Sequence, residues 1–347
     1  MLGTGKNWNY LSFLIKESLV PTDMYTLAEA RNLIDKHLDN IKFPDEPREL
    51  YDPVRYILSI GGKRIRPALC LLACDMFAGS VDSALHPATA IEIFHNFTLL
   101  HDDIMDRSEL RRGQETVHVR WDENVAILSG DVMSILASRF MNEAPGAVLR
   151  NVNDVFLRTA MEVCEGQQMD MNFEKKQTVE EEEYLKMIEL KTAVLIAASL
   201  KIGAMLGGAA ERNAAELYHF GRDLGIAFQL QDDLLDAYGD PEMFGKKPGM
   251  DIVDNKKTIL MITALKDAGK EQKKTLLGWL DAENFDPEEK VQSVMKIFDE
   301  LQIREKVEKI INRFYEASIK SLDNLNTPRE RKSELYAFSE YLMQRKR

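Results

Sequence analysis

Apolar residues recur at i, i+3, i+4 and i+7 along most of the chain, and this spacing predicts helices over Leu149–Glu174, Val179–Gly208 and Ala210–Tyr238. No proline falls between Pro145 and Pro241, as long helices require. No run of alternating β-branched residues bounded by turn pairs stands out, so the predicted fold class is all-α. Met24 opens a further amphipathic helix, MYTLAEARNLIDKHLDNI, behind an extension over 1–23 that is expected to be poorly ordered or non-native. Breaks are predicted at Phe43–Pro47, Ala78–Pro87, Asn142–Gly146, Gly239–Gly249 and Asn284–Pro287. None is a long Gly/Ser linker, so residues 24–347 read as one domain.

The longest apolar stretch, Ala193–Ala210, is interrupted by Lys201 and by glycines, which argues for a buried helix with small packing residues rather than a membrane span. Glu180–Glu183 reads as the acidic first turn of a helix, complementing its dipole. Asp281–Arg347 reads as charged amphipathic helix, ending in a basic tail, Arg345-Lys346-Arg347.

Composition changes this picture little: 45% hydrophobic and 29% charged over 347 residues is that of a globular protein. The net charge of −12 argues against a nucleic-acid binder, but local cations can still reverse the field inside a cleft. Three cysteines without a CxxC pair form no disulfide framework; Cys70 and Cys74 read as core thiols, and a reducing, cytoplasmic location is expected.

Two acidic clusters carry the candidate chemistry: His101-Asp102-Asp103-Ile104-Met105-Asp106 and Gln231-Asp232-Asp233-Leu234-Leu235-Asp236. On a helix, i and i+4 share a face, so Asp102/Asp106 and Asp232/Asp236 each form a carboxylate claw, with Asp103 and Asp233 beside them. Like charges so close call for a cation, and an all-oxygen ligand set suits a hard ion such as Mg2+, which shares its carboxylates with substrate phosphates. Basic groups accompany them. Gly61-Gly62-Lys63-Arg64-Ile65-Arg66-Pro67 opens an apolar helix, Arg111-Arg112-Gly113 follows the first claw, and Gly245-Lys246-Lys247 with Lys256 follows the second. Two anionic groups are thus expected, one bound through metals and one by direct Arg/Lys contact.

GGKRIRP, HDDIMD with LRRG, GQQMD, Lys191-Thr192, FQLQDDLLD and GKKPGMDIVDNK occur in an order and spacing that resemble the trans-isoprenyl diphosphate synthases, also called polyprenyl synthetases, from about Leu27 onward. The resemblance implies a helical bundle of the isoprenoid synthase type around a central active-site cavity. It implies an Mg2+-dependent prenyltransferase that joins isopentenyl diphosphate head-to-tail to an allylic diphosphate (dimethylallyl, geranyl or farnesyl).

Residue by residue, it assigns Asp102, Asp103, Asp106, Asp232, Asp233 and Asp236 to three Mg2+ ions. It assigns Gly62, Lys63, Arg66, His95 and Arg112 to the isopentenyl diphosphate, and Arg111, Lys191 and Lys246, with Lys256 nearby, to the allylic diphosphate. Thr192 and Gln229 match positions facing the developing carbocation. Gln167 and Asp170 fit a supporting position behind the diphosphate, and His101 is expected either to orient Asp102 or simply to be a hydrogen-bonded core histidine. Phe97 and Thr98, one turn before Asp102, are expected to floor the cavity that receives the growing chain. A single ring there favours a C20 product, then C15. A homodimer is the family expectation, with the Gly/Ala-rich helices as a suitable interface. Two rivals remain, a class I terpene cyclase and an inactive regulatory subunit; GGKRIRP and Arg112 weigh against the first and the complete motifs against the second.

Overall fold

The computed structural model describes residues 24–239 and 248–344. Residues 1–23, the segment 240–247 that includes Lys246, and the tail 345–347 lie outside the described residues. In chain order the elements are α1 (Leu27–Asp39), α2 (Arg48–Ser59), α3 (Ile65–Met76), α4 (Val81–Met105), β1 (Leu110–Arg111), β2 (Gln114–Glu115), α5 (Val117–Arg120), α6 (Glu123–Met141) and α7 (Leu149–Glu174). Then follow α8 (Glu181–Ile188), α9 (Val194–Leu206), α10 (Glu211–Tyr238), α11 (Met250–Val253), α12 (Ile259–Asp267), α13 (Lys270–Leu280), α14 (Pro287–Glu300), α15 (Ile303–Asp323) and α16 (Ser333–Gln344). The fold class is all-α as the periodicity predicts, and the one sheet among the described residues is the antiparallel pair β1–β2.

The first helix starts where side-chain chemistry stops it fraying. Thr26 caps α1 in a capping box with Glu29, satisfying amides the helix itself leaves free. α9 and α10 run through the middle of the bundle and are buried along much of their length. One apolar core forms on the N-terminal side around Ile34, Ile91 and Phe156, a second around Leu230, Leu260 and Phe298, and a third joins α3, α9 and α10 through Leu69, Leu200 and Phe220. Cys70 and Cys74 are core thiols as expected.

Three element readings need correction. The break at Ala78–Pro87 ends earlier, because α4 begins at Val81 and takes Pro87 inside its second turn; a missing amide so near a helix start forfeits only one hydrogen bond. The helix read over Val179–Gly208 is interrupted by a π turn at Glu189–Ala193 between α8 and α9. The C-terminal stretch breaks into α14, α15 and α16, first where Gln302 adopts a left-handed backbone (φ 54) and again ahead of Pro328. No described helix is long and apolar enough to cross a membrane.

Candidate active site

α4 and α10 each deliver an acidic cluster at their C-terminal ends. Helix carbonyls point outward there and add negative potential to that of the carboxylates. The two clusters are handled alike. The middle aspartate of each is buried on protein donors, Asp103 being 1% exposed and Asp233 5%. Asp103 takes a fork from Arg111, with Nε donating to Oδ1 at 2.9 Å and Oδ2 at 2.7 Å, and Nη2 to Oδ1 at 2.6 Å. Asp233 accepts from the Tyr184 hydroxyl and, at 3.2 Å, from Gln229 Nε2. The spacing places Asp102/Asp106 and Asp232/Asp236 as the i, i+4 claws beside them. Asp103 and Asp233 are thus held by neighbouring side chains, with lone pairs to spare on each carboxylate.

Around the first claw, Lys191 Nζ lies 3.2 Å from Asp102 Oδ1 and 2.7 Å from Asp170 Oδ2. Lys191 reaches both because the π turn carries it and Thr192 against α7, where Gly166 leaves no room for a Cβ beside the Lys191 backbone. Thr192 Oγ1 donates to Gln229 Oε1 at 3.3 Å, joining the π turn to α10. Around the second claw, the Asp251 amide donates to Asp236 Oδ2 at 3.0 Å. Tyr184 had no motif to announce it, and Asp251, though it lies in GKKPGMDIVDNK, carried no assigned role; both roles arise only when distant segments fold together.

The electrostatics follow from this crowding. Burial raises the Asp103 carboxyl pKa, and Asp102 beside it pushes the same way against Arg111. Asp106 is raised by burial and by Asp102. Asp233 is pushed up to about 7, chiefly by burial, with Asp251 adding to it. Burial opposes the charge on Lys191, but Asp102 and Asp170 outweigh it and raise its pKa. This cluster is short of positive charge.

The opposite holds a few residues away. In the basic loop, Arg64 turns inward and pairs with Glu92 at 2.7 Å and Asp35 at 2.9 Å, anchoring the start of α3. Lys63 and Arg66, with Arg64 and Glu92 at one wall, line a cavity of about 580 Å3 together with His95, Arg111, Arg112 and Asp232. Arg66 Nη1 stands 3.2 Å from His95 Nε2. Arg112 bonds to the Gly61 carbonyl, and a Cβ at Gly62 would lie 2.8 Å from its Nη1, so glycine is what lets the guanidinium in. Burial lowers Arg66 to about 10. Burial, then Arg66 and Arg112, hold the His95 pKa well below the histidine range. An anion here would relieve this concentration of charge.

His95 yields a stability prediction with a fixed sign. Its folded pKa lies below the unfolded value of about 6.5, so as pH falls beneath that value the unfolded chain takes up a proton the native state refuses. Native stability present above about pH 6.5 should therefore be lost toward acid by up to about 1.4 kcal/mol per pH unit from this group. Urea denaturation between about pH 5 and 7 should show a shallower acid slope for His95→Gln than for the parent protein; equal slopes would count against a neutral His95.

Between these regions lies an apolar cavity of about 320 Å3, bounded by Phe97, Thr98 and Met105 of α4 and by Val163, Cys164 and Met171 of α7. It shares Arg66 and His95 with the basic cavity and reaches Asp102, Lys191 and Gln229 at its other wall. A smaller cleft of about 180 Å3 holds Lys191, Asp233, Asp251 and Lys256. Phe97 is not a lone ring: Phe94 packs on it at 5.5 Å, and Phe156 on Phe94 at 5.5 Å. The His101 ring rests against Phe97, with Nε2 3.1 Å from the Ile127 carbonyl, so it is the packed, hydrogen-bonded histidine of the two readings. Gln167 contacts Met105 Sδ at 3.6 Å, whereas Asp170 reaches the site through Lys191.

The residues fit a hard divalent cation by their chemistry. All candidate donors are carboxylate oxygens, and Asp102 Oδ1 is buried with no hydrogen bond of its own beyond the ion pair with Lys191 at 3.2 Å. Among the described residues no three His, Cys, Asp or Glu side chains already converge as a closed ligand cage.

Comparison with known proteins agrees with this geometry. The polyprenyl synthetase family model matches residues 47–298. A geranylgeranyl diphosphate synthase of Methanosarcina mazei is 44% identical over 233 residues, 67% of this chain and 72% of that protein. A geranylfarnesyl diphosphate synthase of Natronomonas pharaonis is 39% identical over 256 residues, 69% of this chain and 75% of that one. A crystal structure of a geranylgeranyl pyrophosphate synthase superimposes with a TM-score of 0.88 at 42% identity, covering 93% of this chain and 100% of that one.

Proposed function

Because the chain belongs to the polyprenyl synthetase family, we propose that it is a prenyltransferase that joins isopentenyl diphosphate head-to-tail to an allylic diphosphate, giving a short-chain trans-prenyl diphosphate. One observation carries this reading: the apolar pocket that Asp102 lines meets, on one side, a cleft carrying Asp170, Asp233 and Asp251 with Lys191, Lys256 and Lys257 and, on the other, a basic cavity. Two diphosphates are thus handled by opposite chemistries, with their hydrocarbon ends brought together.

The Asp102/Asp106 and Asp232/Asp236 claws would hold the Mg2+ ions, with Asp103 and Asp233 braced behind them. When bound, the ions neutralise charge on the departing allylic diphosphate. Lys191 and Arg111, already beside Asp102, grip the same group, and Lys256 lines the cleft with Lys191. Lys246, outside the described residues, is retained as a further contact on the strength of the sequence motif. Thr192 and Gln229 turn oxygens toward the carbon that becomes cationic. Arg66, His95, Arg112 and Lys63 hold isopentenyl diphosphate, whose double bond attacks that carbon. The proton then lost passes to the diphosphate released, so no poised protein base is needed. Apolar walls keep water from the cation.

Turnover with labelled isopentenyl diphosphate, Mg2+ and each allylic primer tests the proposal. Product should form only when both diphosphates are present, and chromatography should show a C20 chain. Continued consumption of the allylic diphosphate alone would indicate a cyclase instead. The C20 preference rests on one ring rather than two at the positions a turn before Asp102, Phe97 being aromatic and Thr98 small, and a cytoplasmic location on the cysteine usage. A homodimer is supported by Leu128 and Ile135 of α6 and Leu157 and Met161 of α7, large apolar side chains at least half exposed. The Gly/Ala-rich segment does not supply this face, because α9 is buried inside the bundle.

A further inference from the structure

Lys290, on α14, is fully buried, which is costly for a charged side chain unless every donor is used. Its Nζ donates to the Val253 carbonyl at 3.1 Å and to Asn255 Oδ1 at 2.5 Å, and it sits 4.1 Å from the centre of the Phe285 ring. A cation on the last carbonyl of α11 also opposes the negative end of that helix. Asn255 adopts a left-handed backbone (φ 57), so the lysine holds the one residue that turns the chain out of α11.

What hangs on this short segment is the far wall of the site. The Gly249 amide donates to the Asp236 carbonyl at 2.6 Å, and the Asp251 amide to Asp236 Oδ2 at 3.0 Å. Lys256, folded back by a bond from its amide to the Asp251 carbonyl at 2.9 Å, lines the cleft with Lys191 and Asp233. The segment thus enters the site from both ends, while Lys290 grips its middle from behind.

We infer that Lys290 is a positioning residue for the prenyl transfer: by fixing the 249–256 segment it sets the orientation of Asp236 and the reach of Lys256 toward the allylic diphosphate. The inference rests on the proposed function of the same site. It explains why a charge is kept at a core position where methionine would pack: an apolar side chain would fill the space but leave the Val253 carbonyl and Asn255 Oδ1 without a donor. The basic residues of the isopentenyl side, Lys63, Arg66, His95 and Arg112, make none of these bonds to the segment, although α10 also lines their cavity through Phe228 and Asp232.

Lys290→Met tests it, with Asn255→Gly as the second variant; glycine keeps the left-handed backbone and removes the acceptor. Both should raise the allylic KM and the Mg2+ half-saturation by about tenfold, with the isopentenyl diphosphate KM within about twofold, and their effects should not add in the double variant. Away from turnover, the thermal upshift produced by Mg2+ with inorganic diphosphate should shrink, and amide exchange at Asp251 and Lys256 should quicken. Both KM values moving together, or neither moving in a folded variant, would overturn the inference. Should Lys290→Met fail to fold, Asn255→Gly decides by the same readings. A parent protein that turns over without isopentenyl diphosphate would refute the proposed function instead, and the thermal and exchange measurements would still judge Lys290.

Discussion

Asp102→Asn should lower kcat/KM by about a thousandfold while leaving the melting temperature unchanged or slightly higher. The activity loss follows from position. Asp102 is the claw residue that Lys191 approaches to 3.2 Å and Arg111 to 4.0 Å, so its charge organises both cations at the allylic end. The amide keeps the shape but no longer offers the charge that a divalent ion requires. The stability sign comes from the same crowding: Asp106 lies one turn on, and burial beside Asp102 already raises its pKa. Removing one of two like charges at i, i+4 relieves roughly 0.2–0.5 kcal/mol on a helix surface. Lys191 keeps Asp170, and Arg111 keeps Asp103, so no cation is orphaned. Steady-state kinetics and calorimetry of the same preparation check both halves; an Asn variant that melts many degrees early would make Asp102 a structural residue.

Phe97→Ala should shift the main product to a longer chain, by about one isoprene unit rather than many. The ring lines the apolar cavity directly, and its removal extends the space beneath the first claw. The extension is short because Phe94 stands behind it and is braced by Phe156. Phe94 is buried, so it will not swing aside cheaply. A large-to-small change at a half-buried ring should cost less than the roughly 3–5 kcal/mol of a fully buried phenylalanine, so the variant should fold. Mass analysis of the products reads the outcome directly. An unchanged chain length would mean that growth is stopped elsewhere, and a very long product would mean that Phe94 offers no barrier.

Much of the fold was legible because helices announce themselves locally. α7 has the bounds that apolar spacing assigned it, Leu149–Glu174, and α10 differs only at its first residue. The paired DDxxD clusters and the basic loop were legible too, since i, i+4 geometry needs no tertiary knowledge. Residues that act across the chain were hidden. Tyr184 meets Asp233 over 49 positions and Lys290 meets Asn255 over 35, and neither lies in a pattern that spacing could flag. The division within each aspartate cluster was also invisible, because adjacent aspartates differ only in what the rest of the fold sets beside them. Phe94 escaped notice for a related reason: three positions before Phe97, it reads as ordinary core until the stack of rings is seen.

The π turn at Glu189–Ala193 has a bearing on how such a site can arise. A π turn spends one more residue per loop of backbone than the α-helix around it, and the helices on either side continue undisturbed. The surplus residue is therefore a local event, absorbed where it occurs, and it delivers an ammonium and a hydroxyl on consecutive positions to two different partners. A bundle of this kind can gain chemistry by lengthening a helix by one residue without relaying its packing.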